Sequence, residues 1–292
     1  MNHIATLEPD MLVDQRLGAV VSGVTHTIGE GFTALHFSEE MFATRMDPLL
    51  MVDHFVMTAP TFAPHLHAGI SAVTALFEDS QGDFLNRDTL GHNLALKAGD
   101  LYWLAAASGA AHEETPAANA RVHALQLFVN LPAHLKQAPA RTLHVTDEQV
   151  PVIHGPGHRV RVVLGRSGEA TGAEGTPEPL TLLDGFLQAN SAFTHVLPEG
   201  MQAWIYAVSG NLVLHCQTEE RSIAAGHATT VSAGSRIELV MSAGEACHFV
   251  LIAGKPIGEP FIKRGPLVMS TEEDIRRTLA KYANGGFGQI PA

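Results

Sequence analysis

The stretch Thr74-Ala-Leu-Phe-Glu-Asp-Ser-Gln-Gly82 indicates the architecture, because its features recur in the same order later in the chain. An apolar segment runs into a glycine turn, followed by the corner Leu96-Lys-Ala-Gly99-Asp100 and then Ser108-Gly109. The second copy consists of Gln202-Ala-Trp-Ile-Tyr-Ala-Val-Ser-Gly210, Ile223-Ala-Ala-Gly226-His227 and Ala233-Gly234. Gly82 to Gly210 is 128 residues, Gly99 to Gly226 is 127 and Gly109 to Gly234 is 125. These nearly constant offsets indicate a duplicated unit.

Short apolar segments, separated by Gly, Pro and Asn, run through both copies. Their spacing is typical of antiparallel strands in a sandwich or barrel rather than of alternating strands and helices. We therefore predict an all-β chain of two antiparallel jelly-roll barrels in tandem, the first over residues 1–140 and the second over residues 141–292. The clearest predicted strands are Ala72–Phe77, Leu101–Ala105, Val122–Val129, Val160–Leu164, Ala203–Val208, Asn211–Cys216 and Cys247–Ile252.

One segment near the C-terminus departs from this strand pattern. Ser270 stands three residues before Glu273, which is typical of a capping box at the start of a helix. Apolar residues follow at helical spacing, at Ile275, Leu279 and Tyr282, and Gly285-Gly286 ends the run. The sequence predicts an amphipathic helix over Thr271–Ala283 that closes an otherwise exposed face.

The composition excludes several classes of partner. The chain has 18 Lys and Arg against 30 Asp and Glu, a formal net charge of −12. It has no basic cluster of the kind that nucleic-acid phosphates or an anionic membrane require. No apolar run reaches the roughly 18 residues of a membrane span, and we see no secretory signal in residues 1–18. We therefore expect a cytoplasmic protein, in which Cys216 and Cys247 are buried thiols.

Two short motifs in the first copy contain the side chains that a metal ion needs. His65-Leu66-His67 places two imidazoles at i and i+2, and therefore on one face of a strand. Later, His112-Glu113-Glu114 places His112 and Glu114 on one face and Glu113 on the other. On neighbouring strands of a closed barrel, three imidazoles and a carboxylate converge on one interior point, with positions left for water or substrate. The alternative is a solvated or hydrogen-bonded histidine face without a metal.

The first motif, together with several other stretches, resembles one known family. His65-Leu66-His67-Ala68-Gly69 is similar to the His-Pro-His-Arg-Gly motif of pirins, which are two-barrel members of the cupin superfamily (bicupins). Gly265–Glu273 is similar to the ending Gly-Pro-Phe-Val-Met-Asn-Thr of that family. The resemblance also runs, in order, through Pro48–Phe55, Arg87–Gly91, Gly99–Trp103 and Ser108–Glu114. It therefore covers nearly the whole chain.

The resemblance implies one divalent metal ion per chain, in the N-terminal barrel. The ligands that carry over from the family are His65, His67, His112 and Glu114. Pirins are usually regarded as iron proteins, so Fe(II) is the metal that we expect. Nickel, copper, manganese and zinc also suit three imidazoles and one carboxylate.

Two functions of different classes follow from this resemblance. The first is a quercetin 2,3-dioxygenase-like oxidoreductase, in which a small flavonol-like aromatic substrate reacts with O2 and Glu114 is the catalytic residue that takes the substrate's hydroxyl proton. The second is a non-enzymatic metal- or redox-sensing regulatory protein that acts through a protein partner. An open metal position in a cavity with apolar walls favours the enzyme. A closed site with an exposed apolar patch elsewhere favours the sensor.

Three positions depart from the family pattern without removing a ligand. Leu66 and Ala68 replace Pro and Arg, and Asn86 stands where the family often has His. We expect these changes to affect the mouth of the pocket.

The second copy lacks most of the ligands. The repeat offsets align His65 with Phe193 and His67 with His195, and they align His112 with Ile237 and Glu114 with Leu239. One imidazole among apolar side chains does not provide the several donors that an ion needs. We therefore expect no metal in the second barrel.

Overall fold

The computed structural model describes residues 15–43 and 46–291. Residues 1–14, which belong to the segment searched for a secretory signal, lie outside these ranges. The described residues form two β-barrels in tandem and a C-terminal helix, which confirms the predicted all-β fold class. Among these residues, no helix is both long enough and apolar enough to cross a membrane.

The strands follow the predicted segments closely, and Leu101–Ala105 has the predicted bounds. In the first half they are β1 (Val21–Ser22), β2 (Val24–Ile28), β3 (Phe32–Ser38), β4 (Leu49–Met57), β5 (His65–His67), β6 (Ile70–Leu76), β7 (Phe84–Asp88), β8 (Asn93–Leu96), β9 (Leu101–Ala105), β10 (Ala110–Pro116), β11 (Val122–Asn130) and β12 (Arg141–Val145).

The second half continues this numbering and ends in the helix. Its elements are β13 (Val152–Gly155), β14 (His158–Leu164), β15 (Arg166–Ser167), β16 (Ala170–Thr171), β17 (Leu180–Leu187), β18 (Ser191–Leu197), β19 (Gln202–Ser209), β20 (Leu212–Cys216), β21 (Glu219–Ile223), β22 (His227–Val231), β23 (Ile237–Ala243), β24 (Cys247–Gly254), β25 (Ile262–Arg264), β26 (Leu267–Met269) and α1 (Glu272–Ala283). Short 3-10 turns span Glu39–Phe42 and Asp147–Gln149.

The two barrels share one strand arrangement. Each pairs a seven-stranded sheet with a four-stranded sheet, and the four-stranded orders, β5-β10-β7-β8 and β18-β23-β20-β21, correspond strand by strand. Two strands pair across the predicted boundary at residue 140: β12, which follows it in sequence, joins the sheet of the first barrel, and β1, which precedes it, joins the sheet of the second. The boundary at residue 140 stays a prediction.

Alternating burial explains how these sequences form strands with an inner face. Along β10, Ala110, His112, Glu114 and Pro116 are buried, whereas Glu113 and Thr115 are partly exposed. Where the two seven-stranded sheets face each other, both sides of the strands are apolar, and one core joins the barrels. That core contains, among others, Phe37, Trp103, Trp204 and Val250.

The helix forms as predicted, but its cap and its buried face differ from the prediction. Thr271 rather than Ser270 is the N-cap, and its hydroxyl accepts a hydrogen bond from the backbone N–H of Asp274 at 3.1 Å. Ile275 is fully buried, whereas Leu279 and Tyr282 remain 38% and 39% exposed. Of the three apolar positions predicted to face the protein, only Ile275 is therefore buried.

The C-terminal residues return to the first barrel, although they follow the second barrel in sequence. We call residues 266–291 the C-terminal brace. Leu66 and Ala68 pack against Leu267, Met269 and Ile275 of the brace. The backbone N–H of Val268 donates to the carbonyl of Ala68 at 2.9 Å. The brace thus lies against the outer side of the strand that carries His65 and His67.

Candidate metal centre

Three imidazoles meet at one end of the first barrel. Strands β5 and β10 are antiparallel neighbours, and His65 lies directly opposite His112. His67 is two residues further along β5, on the same face. The three ring centroids form a triangle with sides of 4.8 to 4.9 Å. One nitrogen from each ring lies within 4.8 Å of the other two, so this cluster has the geometry of a candidate metal site.

The closest contact in the cluster joins Nε2 of His67 and Nε2 of His112, at 3.0 Å. Both rings are almost fully buried, and burial lowers the pKa of His67 and lowers that of His112 to about 3. Two facing lone pairs of neutral imidazoles repel each other unless a proton or a cation lies between them. Two nitrogens bonded to one ion at about 2.1 Å, with the bonds at a right angle, lie about 3.0 Å apart. The imidazoles therefore fit a divalent metal ion.

Glu114 lies on the same strand face as His112, next to this cluster rather than within it. Its Oε1 accepts a hydrogen bond from the Thr74 hydroxyl at 2.6 Å, and no described residue donates a hydrogen bond to its Oε2. Burial raises the pKa of Glu114 to about 7, against the opposing effect of the Thr74 hydrogen bond. Because the carboxylate lines the same cavity as the imidazoles, it is placed to accept a proton there.

A cavity of about 160 Å³ opens beside the three histidines. Its walls are mostly aromatic and thioether side chains, and its polar groups are the histidines, Glu114, Asp53 and Gln126. The apolar lining consists of Phe32, Met51, Phe55, Met57, Phe62, Phe84 and Phe128. The cavity can hold a small aromatic molecule with its polar groups directed at the imidazoles.

Sequence reasoning missed the polar groups that support Glu114. Thr74 lies on β6, and its Oγ1 is 2.9 Å from the side-chain oxygen of Gln126 on β11. Asn86 on β7, already noted as a departure from the family pattern, lies directly opposite Glu114 and is fully buried, but no hydrogen bond joins its side chain to Glu114. A polar residue at an inward position of a strand is the signal that could have identified Thr74 and Gln126.

The family departures at positions 66 and 68 have a different consequence from the predicted one. Leu66 is 6% exposed and Ala68 is fully buried, both beneath the C-terminal brace on the outer face. The prediction that they alter the pocket mouth is wrong, because they alternate with His65 and His67 and point away from the cavity. Glu113 also faces outward, as predicted, and pairs with Arg87 on β7.

The strand pairings shift the alignment of the second barrel by two residues. His112 lies opposite His65 on one side and Asp88 on the other. In the second barrel Leu239 lies between His195 and Cys216 in the same way. The alignment of His195 with His67 is therefore wrong, because His65 and Gly82 are 17 residues apart whereas His195 and Gly210 are only 15 apart. Only residues 210–211 separate β19 from β20, where residues 77–83 separate β6 from β7. The positions equivalent to His65, His67, His112 and Glu114 are His195, Leu197, Leu239 and Met241.

The fold and this site define a bicupin, a chain of two cupin-type barrels with a histidine cluster in the first. Family models match both halves: Pirin over residues 23–129 and Pirin C-terminal cupin domain over residues 182–288. The chain belongs to the pirin family.

Known relatives agree with this assignment along most of the chain. Human pirin is 32% identical over 247 residues, which cover 83% of this chain and 83% of the human protein. A putative quercetin 2,3-dioxygenase of Pseudomonas aeruginosa is 32% identical over 253 residues, covering 82% of this chain and 87% of that protein.

Solved structures show the same architecture. The crystal structure of a quercetin 2,3-dioxygenase from Acinetobacter baumannii superposes with a TM-score of 0.83 at 27% identity, covering 94% of this chain and 98% of that chain. An Escherichia coli pirin in complex with nickel(II) matches with a TM-score of 0.61 at 16% identity, covering 82% of this chain and 99% of that chain. The second likeness shows the fold alone.

Proposed function

We propose that this protein is a metal-dependent dioxygenase that acts on small hydroxylated aromatic substrates of the flavonol type. The proposal assigns one divalent ion, Fe(II) by preference, to His65, His67, His112 and Glu114. The observation that carries it is the triangle of three imidazoles at the wall of an apolar cavity. The name of the Pseudomonas relative and the Acinetobacter structure support the reaction class.

The volume of the cavity limits the size of the substrate that it can enclose. Its volume of about 160 Å³ is below the roughly 300–1,000 Å³ of sites that enclose drug-sized ligands. One substituted ring therefore fits inside, and the rest of a flavonol extends outward past Phe62 and His65. Phe128 lies edge-on to His67, with ring centroids 5.2 Å apart. Its ring forms one wall of the cavity, against which the substrate ring packs.

Different residues of the cavity have different roles toward the substrate ring. The apolar walls exclude water and hold the ring flat, and the open side of the histidine cluster faces its hydroxyl and carbonyl oxygens. Glu114 accepts the hydroxyl proton at Oε2, while Thr74 keeps Oε1 in place at 2.6 Å. When bound, the metal ion brings substrate and O2 together and withdraws charge from the substrate oxygen.

The alternative proposal, a metal- or redox-sensing protein that works through a protein partner, requires no substrate cavity. The cavity beside the histidines favours the enzyme, because a sensor gains nothing from an apolar space next to its metal. In either case the partners we propose are small molecules or proteins in the cytoplasm, and neither nucleic acid nor a membrane binds directly.

Elemental analysis combined with oxygen uptake tests the proposal. We expect about one transition-metal ion per purified chain and, after reconstitution with Fe(II), O2 consumption with at least one member of a panel of flavonols and catechols. Protein that binds metal but consumes no O2 across the panel would exclude the dioxygenase and leave the sensor. Protein that binds no metal would overturn both proposals.

A further inference from the structure

A second and larger cavity lies between the two barrels. This interbarrel cleft has a volume of about 890 Å³ and shares none of its lining residues with the cavity at the metal centre. The first barrel contributes Phe77, Glu78 and His123 to its lining, and the second contributes Arg159, Phe186 and His248. Its volume lies within the range of small-molecule binding sites.

Two imidazoles of the cleft are already fully engaged. Nδ1 of His54 lies 2.5 Å from the Tyr206 hydroxyl, and its Nε2 lies 2.6 Å from Nε2 of His123. Nδ1 of His123 lies 2.7 Å from a carboxylate oxygen of Asp79. Since a carboxylate only accepts, the protons point one way, from Tyr206 to His54, from His54 to His123 and from His123 to Asp79. The 2.6 Å contact fits a shared proton and is shorter than the about 3.0 Å between two nitrogens on one ion, so this pair is not a second metal site.

His248 is different, because one of its ring nitrogens is free. Its Nε2 lies 2.5 Å from Oδ1 of Asp184, a buried carboxylate that also binds the Arg161 guanidinium at 3.0 Å. The ring stacks on Phe186 with centroids 4.1 Å apart and planes at 15°. The residue is 8% exposed, and Nδ1, at the wall of the cleft, has no hydrogen-bond partner among the described residues. A buried imidazole held on three sides thus presents a single polar atom to the cleft.

The surroundings of His248 select the kind of group that pairs with that atom. Phe77, Phe186, Leu187 and Val208 make the nearby wall apolar. The Arg159 guanidinium is occupied, with both terminal nitrogens 2.6 Å from the carboxylate of Glu78. Within residues 15–43 and 46–291 no unpaired Lys or Arg lines the cleft, so an organic anion or phosphate has no cation to bind there. A hydroxyl group suits Nδ1, because it donates to a neutral imidazole and accepts from a protonated one.

We propose that the interbarrel cleft binds a neutral hydroxylated aromatic molecule of the phenol class, with its hydroxyl on Nδ1 of His248 and its ring against Phe77, Leu187 and Val208. This site is independent of the metal centre and of the dioxygenase proposal. The carboxylate of Asp184 holds the ring orientation, so the hydrogen bond forms without reorganisation of the imidazole.

An NMR titration of the complete protein with p-cresol tests the proposal. We expect shifts of the His248 ring resonances and of the backbone amides of residues 186–188 and 208–209. Its methyl ether, 4-methylanisole, has the same ring but no O–H, and we expect it to bind roughly tenfold more weakly, the cost of an unmade hydrogen bond. The variant His248→Phe keeps the aromatic ring but has no nitrogen, and we expect the same loss for p-cresol.

Three further variants test whether p-cresol binds at His248 and nowhere else. His154→Phe makes the same change at an exposed cleft residue and is expected to bind p-cresol like the wild type; His112→Ala, at the metal centre, is also expected to leave this binding unchanged. If His248→Phe unfolds, Ser209→Trp gives the same test, because it places an indole at the cleft wall directly beside His248 and obstructs the site without changing that histidine. Absence of shifts at the cleft, equal affinity for the two ligands, or loss of binding in His112→Ala overturns the proposal.

Discussion

The first and second barrels build the same four-stranded sheet from opposite kinds of side chain. On β7 the inward residues are Phe84, Asn86 and Asp88, and on β20 they are Leu212, Leu214 and Cys216. On β10 His112 and Glu114 face inward, and on β23 the equivalent residues are Leu239 and Met241. All of these side chains are buried.

The difference teaches that the barrel itself does not need polar residues inside. The second barrel closes around an apolar core, which is the less costly way to fill a small barrel. The first barrel keeps buried imidazoles and a carboxylate that burial destabilises in their charged forms. The imidazoles and the carboxylate of the first barrel are therefore explained by its chemistry and not by a requirement of folding.

The largest expected effect is on metal content, where the two barrels should behave oppositely. Replacing His112 with Ala removes one of the proposed ligands, and we expect metal affinity to fall roughly a hundredfold or more, beyond the 10–100-fold that loss of an outer-shell partner costs. The equivalent substitutions of His65, His67 and Glu114 are expected to act in the same direction. His195→Ala, in the second barrel, is expected to leave about one ion per chain by elemental analysis. Loss of metal in His195→Ala would contradict the assignment of the site to the first barrel alone.

The second effect concerns acid stability and His195, which lies inside the second barrel. Burial lowers the pKa of His195 to about 4 from 6.5. Since the unfolded state then binds more protons between these values, the folded state loses stability as the pH falls through that window. From pH 7.5 to pH 5 this amounts to about 2 kcal/mol.

We expect His195→Leu to remove that part of the pH dependence. Urea unfolding of the metal-free protein at the two pH values measures it, because the histidines of the first barrel contribute equally to both proteins. The same loss of stability in wild type and variant would show that His195 is not buried as a neutral imidazole.

A smaller effect is expected from the C-terminal brace. The ring of Phe287 lies where a side chain at Gly109 would be, just before the strand that carries His112. We expect Phe287→Ala to lower the free energy of unfolding by about 1–2 kcal/mol and metal affinity by a few-fold. Tyr282→Ala, at a 39% exposed position of the same brace, is the matched control and is expected to change neither. Chelator competition and urea unfolding provide the two measurements, and equal behaviour of the variants would show that the brace does not support the site.

The smallest effect is expected at Glu113, between two proposed metal-centre residues. Its side chain points outward to Arg87, so Glu113→Ala loses a surface ion pair worth less than about 1 kcal/mol. Metal content is expected to stay at the wild-type value, in contrast to Glu114→Ala. Equal metal loss in the two variants would mean that β10 has the opposite face inward.

The fold and the histidine cluster were predictable because each depends on local patterns. Alternation along a strand was enough to place His65 and His67 on one face and to separate Glu113 from Glu114. The approach of His112 followed once the two motifs were expected on neighbouring strands of a barrel. What depended on loop length was not predictable. The turn after β19 is shorter than the turn after β6, and residues 235–236 precede β23, and these two differences shifted the alignment of the second barrel. The docking of the C-terminal brace was not predictable either, because no local pattern around Leu66 or Ala68 indicates a contact with residues some 200 positions later in the sequence.

The long-range contact between β5 and the C-terminal brace also implies a delay between the synthesis of its two sides. His65 and Leu267 are 202 residues apart in the sequence, and a ribosome that adds roughly 5–20 residues per second needs about 10–40 s to cover this distance. Throughout that interval the strand with the first two histidines has been made while the segment that backs it does not yet exist. A nascent first barrel therefore carries His65 and His67 on a strand whose outer side is not yet covered by the brace.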